Sequence, residues 1–221
     1  MLDRRRGVAG ELVLRRQGGD YELVVDGTFL MDTRDGRSER VLARCALEAA
    51  TRPRRVLVGG LGMGMTLAEV LADGRVERVT VAELEPVLVA WHRRFLAGFT
   101  GAALADPRAT VAVRDVVELI DTAAPASWDA ICLDVDNGPD WLARPQNAGL
   151  YTAAGVRALA RALDPGGAVA VWSSAPAPAL RDRLRAGFAD IRVLEPPSRG
   201  PRPDWVVVAG TPDPAAASER V

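Results

Sequence analysis

The chain contains no lysine. All 28 of its basic residues are arginine, which excludes Schiff-base chemistry on a lysine amine. Histidine occurs once, as His92 in Ala90-Trp-His-Arg-Arg94. That segment reads as a helix remote from the strand ends, so a surface position is expected, and a Ser-His-Asp triad or a histidine zinc site is disfavoured. The two cysteines, Cys45 and Cys132, form no C-x-x-C pair. Cys132 lies in an apolar strand run and reads as a buried thiol, so neither a disulfide framework nor a metal site is expected. No apolar run approaches the roughly 18 residues of a membrane helix, and no apolar signal core follows MLDRRRGVAG. A soluble, cytoplasmic protein without a membrane partner is therefore expected. With a formal net charge of −1 and a pI near 5.9, the chain lacks the basic excess of a nucleic-acid-binding surface, which leaves a small molecule as the expected partner.

What the chain does have is a core. At 221 residues and 48% hydrophobic composition, it suits one principal α/β domain with a small appendage. Glu11 to Arg16 and Tyr21 to Val25 alternate like half-exposed strands around the turn residues Gly18-Gly19-Asp20, and Thr28 to Met31 makes a third short strand. This segment cannot bury much surface by itself and is expected to pack on the main domain or on another subunit. Ser38 to Ala50 is helical by apolar spacing. From Arg55 onward strand and helix alternate, with strands marked by Val56, Val79, Thr110 to Val113, Ala130 to Leu133 and Ala168 to Trp172. Arg192 to Leu194 and Trp205 to Val208 add a terminal pair around the Pro-rich loop Pro196 to Pro203. The predicted fold is α/β: a doubly wound, Rossmann-like, mainly parallel seven-stranded sheet preceded by a small N-terminal β-hairpin segment. The expected divisions are residues 1–36 for the β segment, 37–210 for a nucleoside-binding α/β domain and 211–221 for a flexible tail.

The most informative stretch is Val56 to Pro86. An apolar strand runs into Gly60, Gly62 and Gly64, then a helix from Thr66, then a second strand that ends at Glu83. Glycines at that turn let backbone approach a ligand, and an acid ending the next strand can hold ribose hydroxyls. A dinucleotide fingerprint would place its third glycine at position 65, where this chain has Met65. The tighter G-x-G-x-G spacing suits a nucleoside with a short side chain, such as S-adenosylmethionine, and disfavours an NAD dehydrogenase.

Ligands of open α/β sheets sit beyond the carboxyl ends of the strands, which singles out Asp115 and Asp134. Asp115 can accept from an exocyclic amine such as that of adenine, or cap the helix that begins at Val116. Strand four ends in Leu133-Asp-Val-Asp-Asn-Gly-Pro139. In extended chain Asp134 and Asp136 point to the same side and can grip a cationic amine and take its proton. The same residues also fit a solvated turn at a strand end. Neutralising an alkylamine of pKa near 10.4 at pH 7 costs roughly 4 to 5 kcal/mol, so a base there needs a dry pocket and an aligned electrophile. Trp141, on the following loop, can cover a ligand or anchor its own loop, and Tyr151 has the same two readings.

On these residues the sequence resembles the spermidine synthase (polyamine aminopropyltransferase) family, a branch of the class I S-adenosylmethionine-methyltransferase fold. The likeness runs from about Glu11 to about Trp172. It is carried by Leu23-Val-Val-Asp-Gly27, Thr33-Arg-Asp35, the strand-glycine-helix unit through Thr66-Leu67, Ala82-Glu-Leu-Glu-Pro86 and the strand ending at Asp134. The resemblance implies an S-adenosylmethionine or decarboxylated S-adenosylmethionine donor held at Gly60, Gly62, Met63 and Gly64. It further implies Glu83 on the ribose, Asp115 on the adenine amine and Asp134 as general base. Asp136, Asn137 and Trp141 then face a small-molecule amine acceptor, no metal is involved, and a homodimer or homotetramer is expected. The chain departs from the family pattern where Met63 replaces an acid that meets the donor's amino group. It departs again where Glu39 and Arg40 replace an aromatic followed by His or Gln, and where Asn137-Gly138 replaces Asp-Pro. The leading expectation is alkyl transfer to an amine, aminopropyl transfer being the family form. Methyl transfer from S-adenosylmethionine to a small molecule is the first alternative, and a non-catalytic nucleoside-binding or assembly role the second.

Overall fold

The computed structural model describes residues 1–139, 141–198 and 203–214. It contains two sheets. The first is a four-stranded antiparallel meander of β1 (Asp3–Gly7), β2 (Gly10–Gln17), β3 (Asp20–Val25) and β4 (Thr28–Asp32). The second is built from β5 (Arg55–Gly59), β6 (Arg78–Ala82), β7 (Ala109–Ala112), β8 (Trp128–Leu133), β9 (Leu163–Ser173), β10 (Phe188–Leu194) and β11 (Trp205–Pro212). Its order is β10-β11-β9-β8-β5-β6-β7, with β11 antiparallel to both neighbours and the remaining pairs parallel. The helices are α1 (Arg37–Ala49), α2 (Met65–Ala72), α3 (Pro86–Trp91), α4 (Val116–Asp121), α5 (Ala153–Ala162) and α6 (Pro178–Leu184).

Both faces of the large sheet are covered, which is why its strands read as continuous apolar runs. Val56, Val58, Val79, Val81, Ala130 and Cys132 meet Leu42, Leu47, Leu67 and Val70 of α1 and α2 on one face. Leu57, Ile131, Leu133, Val169 and Val207 meet Ile120, Leu159 and Leu180 of α4, α5 and α6 on the other. The side chains alternate because successive strand residues point to opposite faces. Leu12, Leu14 and Leu23 of the N-terminal sheet join the first of these layers.

One strand is added to the expected set and one boundary shifts. β1 is a strand that the apolar pattern does not reveal, since Asp3–Gly7 is DRRRG with three exposed central residues; its register against β2 supplies the order instead. The tail expected from Thr211 is still strand through Pro212, because Pro212 pairs with Phe188 across β10 and β11. Residues 215–221 lie outside the described residues, as does part of the Pro-rich loop at 199–202. Among the described residues, no helix is long and apolar enough to cross a membrane.

Candidate active site

The strand order reverses between β5 and β8. At that switch point Gly59 and Asp134 lie side by side, the Asp134 N–H donating to the Gly59 carbonyl at 2.9 Å. A crevice must open where the chain leaves adjacent strands in opposite directions, and two adjoining chambers open here. The larger, of about 580 Å3, is lined by Gly60, Glu83, Leu84, Asp115 and Val116, with Leu12, Leu23 and Thr28 to Met31 of the N-terminal sheet across it. The smaller, of about 130 Å3, lies on the glycine-turn side and is lined by Glu39, Leu61, Met63, Met65, Asp136 and Trp172. Gly62, Asp134 and Asn137 line both.

The glycine turn is demanding. Gly60 has a φ of +88°, and a Cβ there would stand 2.3 Å from the Asp134 carbonyl oxygen. Only glycine satisfies both constraints. Gly64, at a φ of +85°, starts α2 over the ring of His92, whose Cε1 would lie 2.8 Å from an added Cβ. His92 is therefore not a surface residue. It is 2% exposed, and its Nε2 lies 2.8 Å from the Gly62 carbonyl. A carbonyl only accepts, so Nε2 carries the proton, and burial holds the ring below its ordinary pKa, in the neutral form. A π-helical turn over His92–Leu96, continuing α3, delivers this side chain. The contact spans 30 residues of sequence, and nothing local in the sequence reports it.

Glu83 directly follows β6 and is buried. One carboxylate oxygen accepts from Leu61 N–H at 2.9 Å and the other from Glu85 N–H at 2.7 Å, so this acid also braces the glycine turn. Desolvation raises its pKa against those backbone bonds. Asp115 does what a helix cap does, accepting from Val117 N–H at 2.8 Å, while its other oxygen accepts from Arg144 at 2.7 Å. It lines the larger chamber as well.

Asp134 stands where the chambers meet, and its Oδ2 accepts from the buried Thr66 hydroxyl of α2 at 2.9 Å. Desolvation, and after it the negative charge of Glu39, pushes its pKa up to about 7. Asp134 and Asp136 both line the smaller chamber, as their spacing leads one to expect, but the turn that follows β8 gives them different partners. Asp136 is buried and fully engaged elsewhere, accepting from Ala143 N–H, Asn147 Nδ2 and Tyr151 Oη at 2.7, 2.8 and 2.9 Å. It ties down the loop that carries Trp141 and leaves Asp134 as the chemically available carboxylate. Tyr151 belongs to this internal brace, its hydroxyl pKa raised by burial first and by Asp136 second. Trp141 is 70% exposed at the rim of the larger chamber, so it does not anchor its own loop. Asn137 is held by its carbonyl, which accepts from the Ser174 hydroxyl at 2.8 Å.

A chamber of this volume is within the range of small-molecule sites. Its residues fit an adenosyl group: a backbone that no Cβ can crowd at Gly60, a buried acid at Glu83, apolar walls at Val116 and Leu84, and an acceptor at Asp115. Fold and site together define an α/β protein of the class I methyltransferase type with an open chamber at the switch point of its sheet. Residues 37–180 match the spermine/spermidine synthase domain. The polyamine aminopropyltransferase of Mycobacterium tuberculosis H37Rv is 31% identical over 176 residues, covering 78% of this chain and 32% of that protein. Putrescine N-methyltransferase 3 of Nicotiana tabacum is 31% identical over 133 residues, covering 58% of this chain and 32% of that protein. Spermidine synthase from Thermotoga maritima superposes with a TM-score of 0.80 at 20% identity, covering 95% of this chain and 72% of that one. The chain belongs to the spermine/spermidine synthase family. It spans about a third of the length of the mycobacterial relative.

Proposed function

We propose that the protein transfers an alkyl group from an adenosyl sulfonium donor to an amine, with Asp134 as general base. The position of Asp134 carries this reading: one carboxylate at the junction of a nucleoside-sized chamber and a smaller one, at the switch point of the sheet. Gly60, Gly62 and Gly64 leave room for the donor's ribose and tail, Glu83 takes the ribose hydroxyls, and Asp115 the adenine amine. The bound donor supplies a carbon made electrophilic by positive sulfur, which departs as a neutral thioether. Asp134 orients the amine nitrogen, accepts the proton it sheds and later releases that proton to water. A carboxylate of ordinary pKa is a poor partner for an alkylammonium. One raised to about 7 is a better base and is still about half ionised at neutral pH.

Aminopropyl transfer is the form we favour, since the mycobacterial relative carries that name. Methyl transfer is favoured by a different observation: buried Met63 stands in the glycine turn, in place of an acid, and a relative of the chain is a putrescine N-methyltransferase. Calorimetric titration with S-adenosylmethionine, decarboxylated S-adenosylmethionine and methylthioadenosine side by side separates the two by donor preference. Asp134→Asn should bind donor within about twofold of wild type while product formation, followed by mass shift, falls about 10²- to 10⁴-fold. Lost donor binding with unchanged turnover per bound donor would refute the role of base.

A further inference from the structure

We propose that Glu39 is a specificity-determining residue of this site: together with Asp134 it holds a primary alkylammonium group in the smaller chamber. The assignment rests on the transferase reading above and adds to it a residue and a ligand chemistry. The chamber floor is apolar, made by the buried side chains Leu61, Met63 and Met65. Its charged walls are all acidic: Glu39, Asp134 and Asp136. Asp136 is engaged in its internal brace. Glu39 accepts from the Ser38 hydroxyl at 2.9 Å and Asp134 from the Thr66 hydroxyl at 2.9 Å, and neither donor is a cation. Buried Asp204 adds negative potential felt by both. Two carboxylates lining one chamber repel each other, and a bound cation relieves that repulsion without protonating either. Among the described residues no group of three or more potential ligands is arranged for a metal ion; the walls instead suit a donor with an apolar stem. Trp172 completes them with an aromatic ring, and its indole N–H is buried without a partner among the described residues. At about 130 Å3, the chamber has room for a short alkyl stem but not for a nucleoside.

The ammonium can come from the acceptor or from an amine-terminated alkyl tail on the donor, and both chemistries are the same to Glu39. The test is calorimetry on wild type and Glu39→Gln. Methylthioadenosine, which lacks an ammonium, should bind both proteins with affinities within twofold. With methylthioadenosine saturating, n-butylamine and 1,4-diaminobutane should bind wild type and lose at least tenfold in Glu39→Gln if the acceptor supplies the cation. If the donor tail supplies it, the advantage of decarboxylated S-adenosylmethionine over methylthioadenosine should shrink at least tenfold, and Glu39→Gln/Met63→Asp should restore part of it. If methylthioadenosine binds but Glu39→Gln alters neither quantity, the role of Glu39 is overturned while the transferase reading stands. If methylthioadenosine does not bind wild type, the transferase reading fails and this assignment falls with it.

Discussion

Glu83 braces the fold with the same carboxylate that is proposed to hold the ligand's ribose. Its two oxygens already accept from the N–H groups of Leu61 and Glu85, so the glycine turn is preformed before any nucleoside arrives. Glutamine at this position keeps one acceptor oxygen and loses the charge. Glu83→Gln should therefore weaken methylthioadenosine binding by about 1 to 3 kcal/mol, the worth of charged hydrogen bonds. Titration calorimetry reads this directly, and unchanged affinity would remove the ribose assignment. The presence of an acid at the end of the second strand was legible from sequence. Its bracing of Leu61, 22 residues away, was not, because a hydrogen bond between chain segments leaves no local pattern. His92 makes the same point more sharply: a lone histidine among arginines reads as surface, yet it packs under Gly64 and donates to Gly62.

At the scale of elements, the N-terminal sheet is held to the main sheet by its first turn. Val8 N–H and Ala9 N–H both donate to the Glu85 carboxylate, and Asp3 accepts from the Trp91 indole N–H at 2.9 Å. Gly7 packs against that carboxylate so closely that a Cβ there would lie 2.1 Å from its Oε2. Because the sheet supplies a wall of the larger chamber, its docking bears on ligand affinity. Glu85→Ala should cost about 1 to 3 kcal/mol of stability by orphaning two backbone donors, seen as a lower urea midpoint. It should also speed hydrogen exchange at Val8 and Ala9 and weaken methylthioadenosine binding. Exchange as slow as in wild type would show that apolar packing of Leu12, Leu14 and Leu23 holds the sheet unaided.

For the whole molecule, the buried carboxylates set stability and chemistry against each other. The folded-state pKa of Asp134 is raised, to about 7, above an unfolded value of about 3.9. The folded protein thus binds that proton more tightly than the unfolded chain. Its contribution to stability is complete below about pH 4 and is lost as the pH rises through about 7. Glu39 and Glu83, also raised, act in the same direction. With Asp134 in the proposed role of base, turnover should climb across that window. Asp134→Asn should then gain at least about 1 kcal/mol over wild type at pH 8, and the gap should narrow at pH 5. Thermal melts of both proteins at the two pH values check this. Protonation of His92, whose pKa is lowered by burial, destabilises both proteins alike in acid and cancels from the difference.

The chain by itself determined the alternation of strand and helix, the sheet type, the glycine turn and the acids at the strand ends. Each of these is written in local periodicity, glycine spacing or strand termini, which act over a few residues. Tertiary structure alone decided which acids are free to act. Asp134 and Asp136 share the smaller chamber, but the backbone turn after β8 leaves Asp134 only the Thr66 hydroxyl while Tyr151 and Asn147 tie up Asp136. It also brought Glu39, from a helix 95 residues earlier in the chain, to the same chamber as Asp134. The pKa of Asp134 follows from that placement, because desolvation and neighbouring charge depend on distances that arise only when the sheet and its helices pack.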